Sequence, residues 1–228
     1  MKLIITSRDS IQIARKRCIR KFLHYFKKGF KDEKYIAWER QYKLDAHIQF
    51  QQKLNLKSFK ALLTAKQFEE ISRTAIQIES KTNLLFSFEK MALRDAVRSK
   101  EGAEQFASGL FDYLYSGDHL RQRFENFMQV ISHLPRKQTR VLTWPLLTVF
   151  GFVAEPEKHI FLKPKVTQKA AEKYRFDFDY ISPPNWETYE SLLAFAGQIR
   201  SDTKNLHPRD HIDLQSFIWV MGSDEYPD

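Results

Sequence analysis

Residues 134–167, LPRKQTRVLTWPLLTVFGFVAEPEKHIFLKPKVT, form the most hydrophobic stretch of the chain and decide its fold class. From Val141 to Ala154 almost every residue is apolar or small. A helix that is apolar on all faces must be buried, and about 14 residues are too few to span a bilayer, which takes roughly 20. Pro145 suits the first turn of a helix, and the residue before Pro156 avoids helical geometry. The stretch therefore predicts a buried helix at the centre of the core.

The composition favours helices in the rest of the chain as well. Of 228 residues only 7 are glycine, whereas 43% are hydrophobic, which is enough for a sizeable core. We predict an all-α, single compact multi-helix domain over residues 1–228, with a short extended crossing near residues 159–163. A subdivision near Pro135, into a helical bundle over residues 1–134 and a C-terminal helical module over residues 135–228, is the alternative.

Charge and cysteine usage indicate the environment and the class of partner. The formal net charge of +9 attracts polyanions such as nucleic acid or anionic lipid, although it also suits a merely soluble basic surface. The single Cys18 excludes an internal disulfide framework and fits a reducing compartment. The apolar run at residues 3–5 is too short for a signal peptide. We therefore expect a cytoplasmic protein with no transmembrane segment.

The first predicted helix is basic and amphipathic. It begins at Ser7 or Asp9, ends at Gly29 and carries its apolar residues at helical spacing. Its opposite face carries the basic residues Arg15, Lys16, Arg17, Arg20 and Lys21. A second basic segment, just before the hydrophobic stretch, consists of Arg136, Lys137 and Arg140. Such a face can bind phosphates, lie on a membrane surface, or simply be the solvated side of an ordinary helix.

A second predicted helix, from Asp32 or Glu33 to Lys53, carries a line of polar side chains. Glu39, Lys43 and His47 recur at intervals of four residues and so share one face. They form either a polar site or an i,i+4 ladder of ion pairs. Further candidates for a catalytic site are Glu89 and Arg94, charges close to a predicted buried face formed by residues that include Phe88 and Met91. Buried charges need partners, so we expect Arg94 to pair with a carboxylate.

The densest polar cluster near the end of the chain consists of Arg209, Asp210 and Asp213, and Lys163 is a possible fourth member. Two acids could bind a divalent metal. Alternatively, Asp210 caps the last helix and Arg209 pairs with a carboxylate. The acidic segment that follows that helix, GSDEYPD, is expected to fray.

No motif for a cofactor or a structural metal is present. The chain has no P-loop, Rossmann fingerprint, G-x-S-x-G elbow, H-E-x-x-H or EF-hand loop. The lone cysteine excludes a multi-cysteine zinc site, and the seven histidines lack metal-ligand spacing. The sequence therefore predicts neither a cofactor nor a metal, and it leaves open whether the protein is an enzyme.

Four stretches carry a resemblance to a known family. LLFSFEKMALRDAVR, RKQTRVLTWPLLTVFGFVAEPEKHIFLKP, PNWETYESLLAFA and PRDHIDLQSFIWV resemble a family of uncharacterised bacterial proteins with a C-terminal P-R-D-x-I-D-x-Q-S-F-I-W-V motif. The resemblance implies a bacterial origin and no particular activity. The chain also resembles, more distantly, helical modules of restriction and defence proteins related to helix-hairpin-helix DNA glycosylases. It lacks their Gly-x-Gly hairpin, so this likeness implies only an association with nucleic acid.

The leading functional hypothesis is non-specific nucleic-acid binding, to DNA or RNA, through the basic helix and the 136–140 connector. A second is a scaffold or partner-binding protein that engages an acidic protein. A third is an enzyme with a polar site around Glu39, Lys43 and His47.

Overall fold

The chain is built from helices joined by turns and loops, as a computed structural model of residues 7–135 and 141–228 shows. The α-helices are α1 Ser7–Tyr25, α2 Glu33–Tyr35, α3 Gln41–Lys53, α4 Leu56–Thr64, α5 Phe68–Ser80, α6 Ser87–Ala96, α7 Lys100–Tyr115, α8 Leu120–His133, α9 Trp144–Ala154, α10 Pro164–Tyr174, α11 Trp186–Asp202 and α12 His211–Gly222. A π-helical turn, Ile36–Arg40, joins α2 to α3, and single 3₁₀ turns lie at Gly29–Lys31 and Lys204–Leu206. No strand occurs in these two ranges, so the all-α prediction is confirmed.

The predicted central helix is α9, and every one of its residues is buried. Its Thr143 N-cap accepts a hydrogen bond from the backbone N–H of Leu146, and Pro145 lies in its first turn, as expected. Helices α3, α5, α7 and α8 surround it. Nowhere in the described ranges does a helix combine the length and the apolar character needed to cross a bilayer.

A second buried helix, α12, lies among α1, α10 and α11. The contact with α10 is close: a Cβ atom on Gly222 would lie 2.0 Å from the backbone oxygen of Val166. Because α9 packs on helices that precede residue 135, and α12 packs on α1, the two parts of the chain share one hydrophobic core.

The crossing at residues 159–163 is non-helical, as predicted, and joins α9 to α10. Ile160 and Leu162 are fully buried there. Their backbone N–H groups donate to side chains, Ile160 to the Tyr189 hydroxyl at 3.2 Å and Leu162 to Thr148 Oγ1 at 3.0 Å. These bonds satisfy donors that a helix or sheet would otherwise satisfy.

Two predicted helix boundaries were wrong. Helix α1 ends at Tyr25 rather than at Gly29, which instead adopts a positive φ of 60° in the turn that follows. Thr167 is a good N-cap and predicts a helix from Gln168 to Tyr174, but helix α10 begins at Pro164, one turn earlier. Proline at the first helical position has its φ already set for a helix and no N–H to satisfy, so it starts the helix there.

Two predicted burial assignments were also wrong. Phe88 and Met91 are 53% and 62% exposed, because the buried face of α6 is formed by Glu89, Ala92, Leu93 and Ala96. Residues 222–228 are predicted to fray, but Gly222 is buried at the end of α12 and Tyr226 is only 6% exposed. We call residues 223–228 the tail. The Tyr226 ring packs against Tyr25 at 4.9 Å between centroids, and this contact fixes the tail against α1.

Candidate functional site

A buried ion cluster joins the π-helical turn to the start of α12. Arg40, at the end of that turn, donates from Nη1 to Asp210 Oδ1 and to Asp213 Oδ1, both at 2.8 Å, and from Nη2 to Asp210 Oδ2 at 2.6 Å. All three side chains are at most 8% exposed. The extra residue of a π turn changes the direction of the side chains that follow it, and such turns are frequent at functional sites.

Two more side chains complete the cluster. The Tyr35 hydroxyl donates to Asp213 Oδ1 at 2.6 Å, and Arg209 donates from Nε to Asp213 Oδ2 at 2.9 Å. Asp210 is the N-cap of α12 and accepts from the N–H groups of Ile212 and Asp213. The capping interpretation of Asp210, with Arg209 paired to a carboxylate, is therefore confirmed.

The charges of the cluster compensate one another. Burial alone would lower the pKa of Arg40, but the hydrogen bonds and negative charges of Asp210 and Asp213 outweigh it and raise that pKa. Burial would raise the pKa of Asp210, but Arg40 lowers it. Asp210 is thus ionised, and both Asp210 and Asp213 are paired with arginine. No group of three or more His, Cys, Asp or Glu side chains in the described ranges could hold a metal ion.

A second buried pair joins Glu39 of the π-helical turn to Lys43 of α3. Lys43 Nζ is 3.4 Å from Glu39 Oε2 and donates to Ser216 Oγ at 2.8 Å, while Tyr226 donates to Glu39 Oε1 at 2.6 Å. Burial lowers the pKa of Lys43 to about 8, partly opposed by Glu39. Lys43 is 2% and Ser216 0% exposed, so a substrate would reach this pair only if the core opened.

The structure separates the other candidates for a catalytic site from Glu39 and Lys43. His47 Nδ1 lies 2.9 Å from the carbonyl oxygen of Val153. Glu89 is buried at the start of α6, where it accepts from the N–H of Phe86 and from Thr143 Oγ1. Arg94 is exposed and makes no ion pair within the described ranges, contrary to the expectation that it would pair with a carboxylate.

Lys163 does not join the cluster of Arg209, Asp210 and Asp213. Its ammonium donates to the carbonyl of Leu84 at 3.0 Å and lies 3.4 Å from the centroid of the Phe86 ring. It lies just ahead of α10, and its backbone is extended there, which directs the side chain to the loop before α6.

A basic groove of about 960 Å³ lies between α1 and α10, and we call it the α1–α10 groove. The tail closes one of its sides. Its basic lining residues are Arg17, Arg20, Lys21 and His24 from α1, Lys169 and Lys173 from α10, and Arg175 just after α10. Its acidic lining residues are Glu172 and Asp228. Basic side chains from two distant parts of the sequence therefore converge on one surface.

The structure brings some of the predicted phosphate-binding residues to this groove. Arg17, Arg20 and Lys21 line it. Arg15 turns away and pairs with Asp202 at 3.4 Å. Lys16 is exposed on α1 but is not among the lining residues. The predicted basic connector with Arg136, Lys137 and Arg140 lies outside the described residues.

Sequence reasoning missed the contribution of α10. Lys165, Lys169 and Lys173 recur every four residues and so form a row along one side of that helix. This spacing was a readable signal, of the same kind as the basic face of α1. The cap predicted at Thr167 leaves Lys165 outside the predicted helix, so that prediction does not contain the whole row.

Among the basic side chains of the groove, Arg17 and Arg20 differ from the lysines in their lack of acidic partners in the described ranges. Arg17 and Arg20 are exposed, and neither makes a hydrogen bond or ion pair through its side chain within the described ranges. Lys21 and Lys173 both contact Asp228, and Lys169 contacts Asp224. The groove thus has a positive surface at which carboxylates already bind.

A scan against protein-family models and searches of curated proteins and of solved structures found no match for this chain.

Proposed function

We propose that the protein binds nucleic acid without sequence preference, by holding the phosphate backbone in the α1–α10 groove. The observation that carries this proposal is the convergence of basic side chains from α1 and α10 on one open surface. Clustered Lys and Arg on one face attract polyanions, and each phosphate contact releases bound counterions. The net charge of +9 supports the same reading.

Two arginines that have no acidic partner among the described residues give the groove its capacity for phosphate. Arg17 and Arg20 lie three residues apart on α1, so their side chains project from the same face of the helix. A guanidinium group presents a planar set of donors that matches two phosphate oxygens at once. In the ion cluster, by contrast, the donors of Arg40 are already hydrogen-bonded to Asp210 and Asp213.

The groove offers charge rather than a pattern for reading bases. Its basic side chains are long, and long side chains reach backbone phosphates without fixing which base is present. We therefore expect similar affinities for DNA and RNA of unrelated sequence, and an affinity that falls steeply with salt.

The test is a titration of labelled DNA and RNA with the wild-type protein and with the double variant Arg17→Glu/Arg20→Glu, followed by fluorescence anisotropy at several salt concentrations. Loss of two phosphate contacts should lower the slope of log K against log salt by about 2. Charge reversal should also weaken binding at least tenfold at about 50 mM salt.

The matched control is Lys57→Glu/Lys60→Glu on α4, which changes the net charge by the same amount at exposed positions. Helix α4 packs against α5 and α7, away from the groove. If both double variants weaken binding equally, the groove is not the site. If the wild-type protein retains no nucleic acid even at low salt, the proposed function is wrong.

A second candidate function, the binding of an acidic protein, is favoured by one specific observation. The acidic tail lies in the groove with its carboxylates on Lys21, Lys169 and Lys173, so an acidic peptide segment fits this surface. Co-purification with an acidic partner that Arg17→Glu/Arg20→Glu abolishes, in a protein without nucleic-acid affinity, would favour it over the first candidate.

A further inference from the structure

The tail returns from the end of α12 to the α1–α10 groove and is anchored there by Tyr226. The Tyr226 ring lies 4.9 Å from that of Tyr25 and 5.9 Å from that of Phe26, measured between centroids. Its hydroxyl donates to Glu39 Oε1 at 2.6 Å. The aromatic anchor holds the next two residues, Pro227 and Asp228, along the wall of the groove.

Asp228 bridges the two helices that form the groove. Lys21 of α1 donates to its Oδ1 and Lys173 of α10 donates to its Oδ2, both at 2.7 Å. The Tyr25 hydroxyl donates to the neighbouring carbonyl of Pro227 at 2.6 Å. Hydrogen bonds from Lys173 and Lys21 lower the pKa of Asp228 to about 2, so its carboxylate is an anion at neutral pH.

Two ammonium groups on two oxygens of one anion are also the arrangement that binds a phosphate. We propose that Lys21 and Lys173 form a phosphate site for a phosphodiester or phosphate ester, and that Asp228 occupies this site in cis until such a ligand displaces it. This inference rests on the proposed function, since it identifies where a backbone phosphate binds and what competes with it.

The contact of Asp228 with the two lysines is weak enough for a ligand to displace it, and the Tyr226 anchor keeps Asp228 close to the lysines. The Asp228 side chain is 49% exposed, whereas those of Lys21 and Lys173 are 10% and 29% exposed, and ion pairs that are open to solvent at one partner contribute little. Because Tyr226 holds Asp228 close to the groove, the local concentration of the carboxylate is high, on the order of millimolar. A ligand binds only the fraction of molecules in which the site is open, so the tail lowers the apparent affinity.

The first test compares the affinity of Asp228→Asn and of wild type for a fluorescein-labelled oligothymidylate. Asparagine keeps the shape of the side chain and removes its charge, so the lysine pair is open to phosphate more often. We expect Asp228→Asn to bind about fivefold more tightly. The matched control is Glu104→Gln, an exposed acid on α7 whose loss raises the net charge equally. If the two variants bind alike, Asp228 does not compete for the site.

The second test does not depend on nucleic acid. Cys18, the single cysteine of the chain, lies on the groove wall with its Sγ 3.5 Å from the carbonyl oxygen of Lys173. It is 4% exposed, and burial, together with the negative charge of Asp228, raises its thiol pKa to about 11. Asp228→Asn removes this negative charge and opens the lysine pair beside Cys18, so the variant should react with a disulfide reagent severalfold faster than wild type. An unchanged rate would contradict opening of the lysine pair in this variant.

Pyrophosphate provides the last arm of the test. Added to Asp228→Asn, it should refill the lysine pair and slow labelling of Cys18 more than sodium chloride of equal ionic strength does. If pyrophosphate and chloride act alike, Lys21 and Lys173 do not form a phosphate site. If pyrophosphate protects Cys18 while no oligonucleotide binds, the phosphate site stands and the nucleic-acid function fails.

Discussion

The ion cluster and the α1–α10 groove use the same chemistry, cationic side chains beside carboxylates, in opposite surroundings. In the cluster, Arg40 and Asp213 are 6% and 0% exposed, and both acids are hydrogen-bonded. In the groove, Asp228 is 49% exposed, and Arg17 and Arg20 have no acidic partner in the described part of the chain. In the cluster both terminal nitrogens of Arg40 are bonded to acids, whereas the groove leaves cationic donors facing solvent.

This difference separates structural charge from charge available to a ligand. A buried charge that loses its partner is costly, so the members of the cluster depend on one another. An exposed pair is screened by water and salt and is readily exchanged for another anion. We therefore expect substitutions in the cluster to change stability and substitutions in the groove to change binding.

Replacement of Arg40 by alanine is the strongest way to challenge this comparison. It would leave Asp210 and Asp213 buried without their shared cation, which should destabilise the fold by about 3–5 kcal/mol. For a chain of this length the melting temperature should fall by roughly 6–20 °C. Thermal unfolding followed by circular dichroism measures the change.

The control is Arg121→Ala, because Arg121 pairs with Glu125 and Glu187 on the surface with its side chain 57% exposed. We expect little or no change in the melting temperature there, because water and salt screen an exposed ion pair. If Arg40→Ala does not fold, Arg40→Lys keeps the charge but loses the two-pronged contact with Asp210, and it should lie between wild type and alanine. Equal melting temperatures for Arg40→Ala and Arg121→Ala would contradict the distinction between the two regions.

The distinction between buried and exposed charge applies to histidine as well, because protonation of a buried imidazole opposes folding. His159 is fully buried, with its Nδ1 2.9 Å from the Tyr113 hydroxyl. Burial, and then the positive charges of Arg123 and Lys158, lower its pKa to about 3 from the ordinary 6.5. Between pH 6.5 and about 3 this histidine is therefore protonated in the unfolded chain but not in the folded protein. The free energy of unfolding falls as the pH falls toward 3. By about pH 4 the loss amounts to roughly 3 kcal/mol.

His159→Gln should remove this component, and the plot of unfolding free energy against pH should become flatter between pH 6.5 and about 4. The control is His24→Gln, since His24 is exposed on the groove wall. That variant should keep the wild-type pH profile. Identical profiles for all three proteins would show that protonation of His159 does not limit stability in acid.

Local signals in the sequence predicted the helices but not the long-range partners. The apolar run around Pro145 predicted α9, and Asp210 was readable as a cap because an N-cap acts within its own turn. Arg40 pairs with an acid 170 residues away, and no periodicity encodes such a separation. The docking of Tyr226 on α1 is equally remote in sequence, which is why an acidic tail was expected to fray.

The smallest expected effect is the one that most sharpens the comparison. Asp228→Asn removes an anion held by two lysines at 2.7 Å, distances similar to those in the ion cluster. Since Asp228 is half exposed, its loss should cost less than about 1 kcal/mol, and the melting temperature should change by no more than roughly 4 °C. The same substitution should raise the affinity for oligonucleotide.

A loss of stability as large as that of Arg40→Ala would instead make the tail part of the folded core. A small loss together with tighter binding would mean that short distances between charges do not by themselves indicate stabilising pairs, and that burial decides which of the two roles a charged pair has.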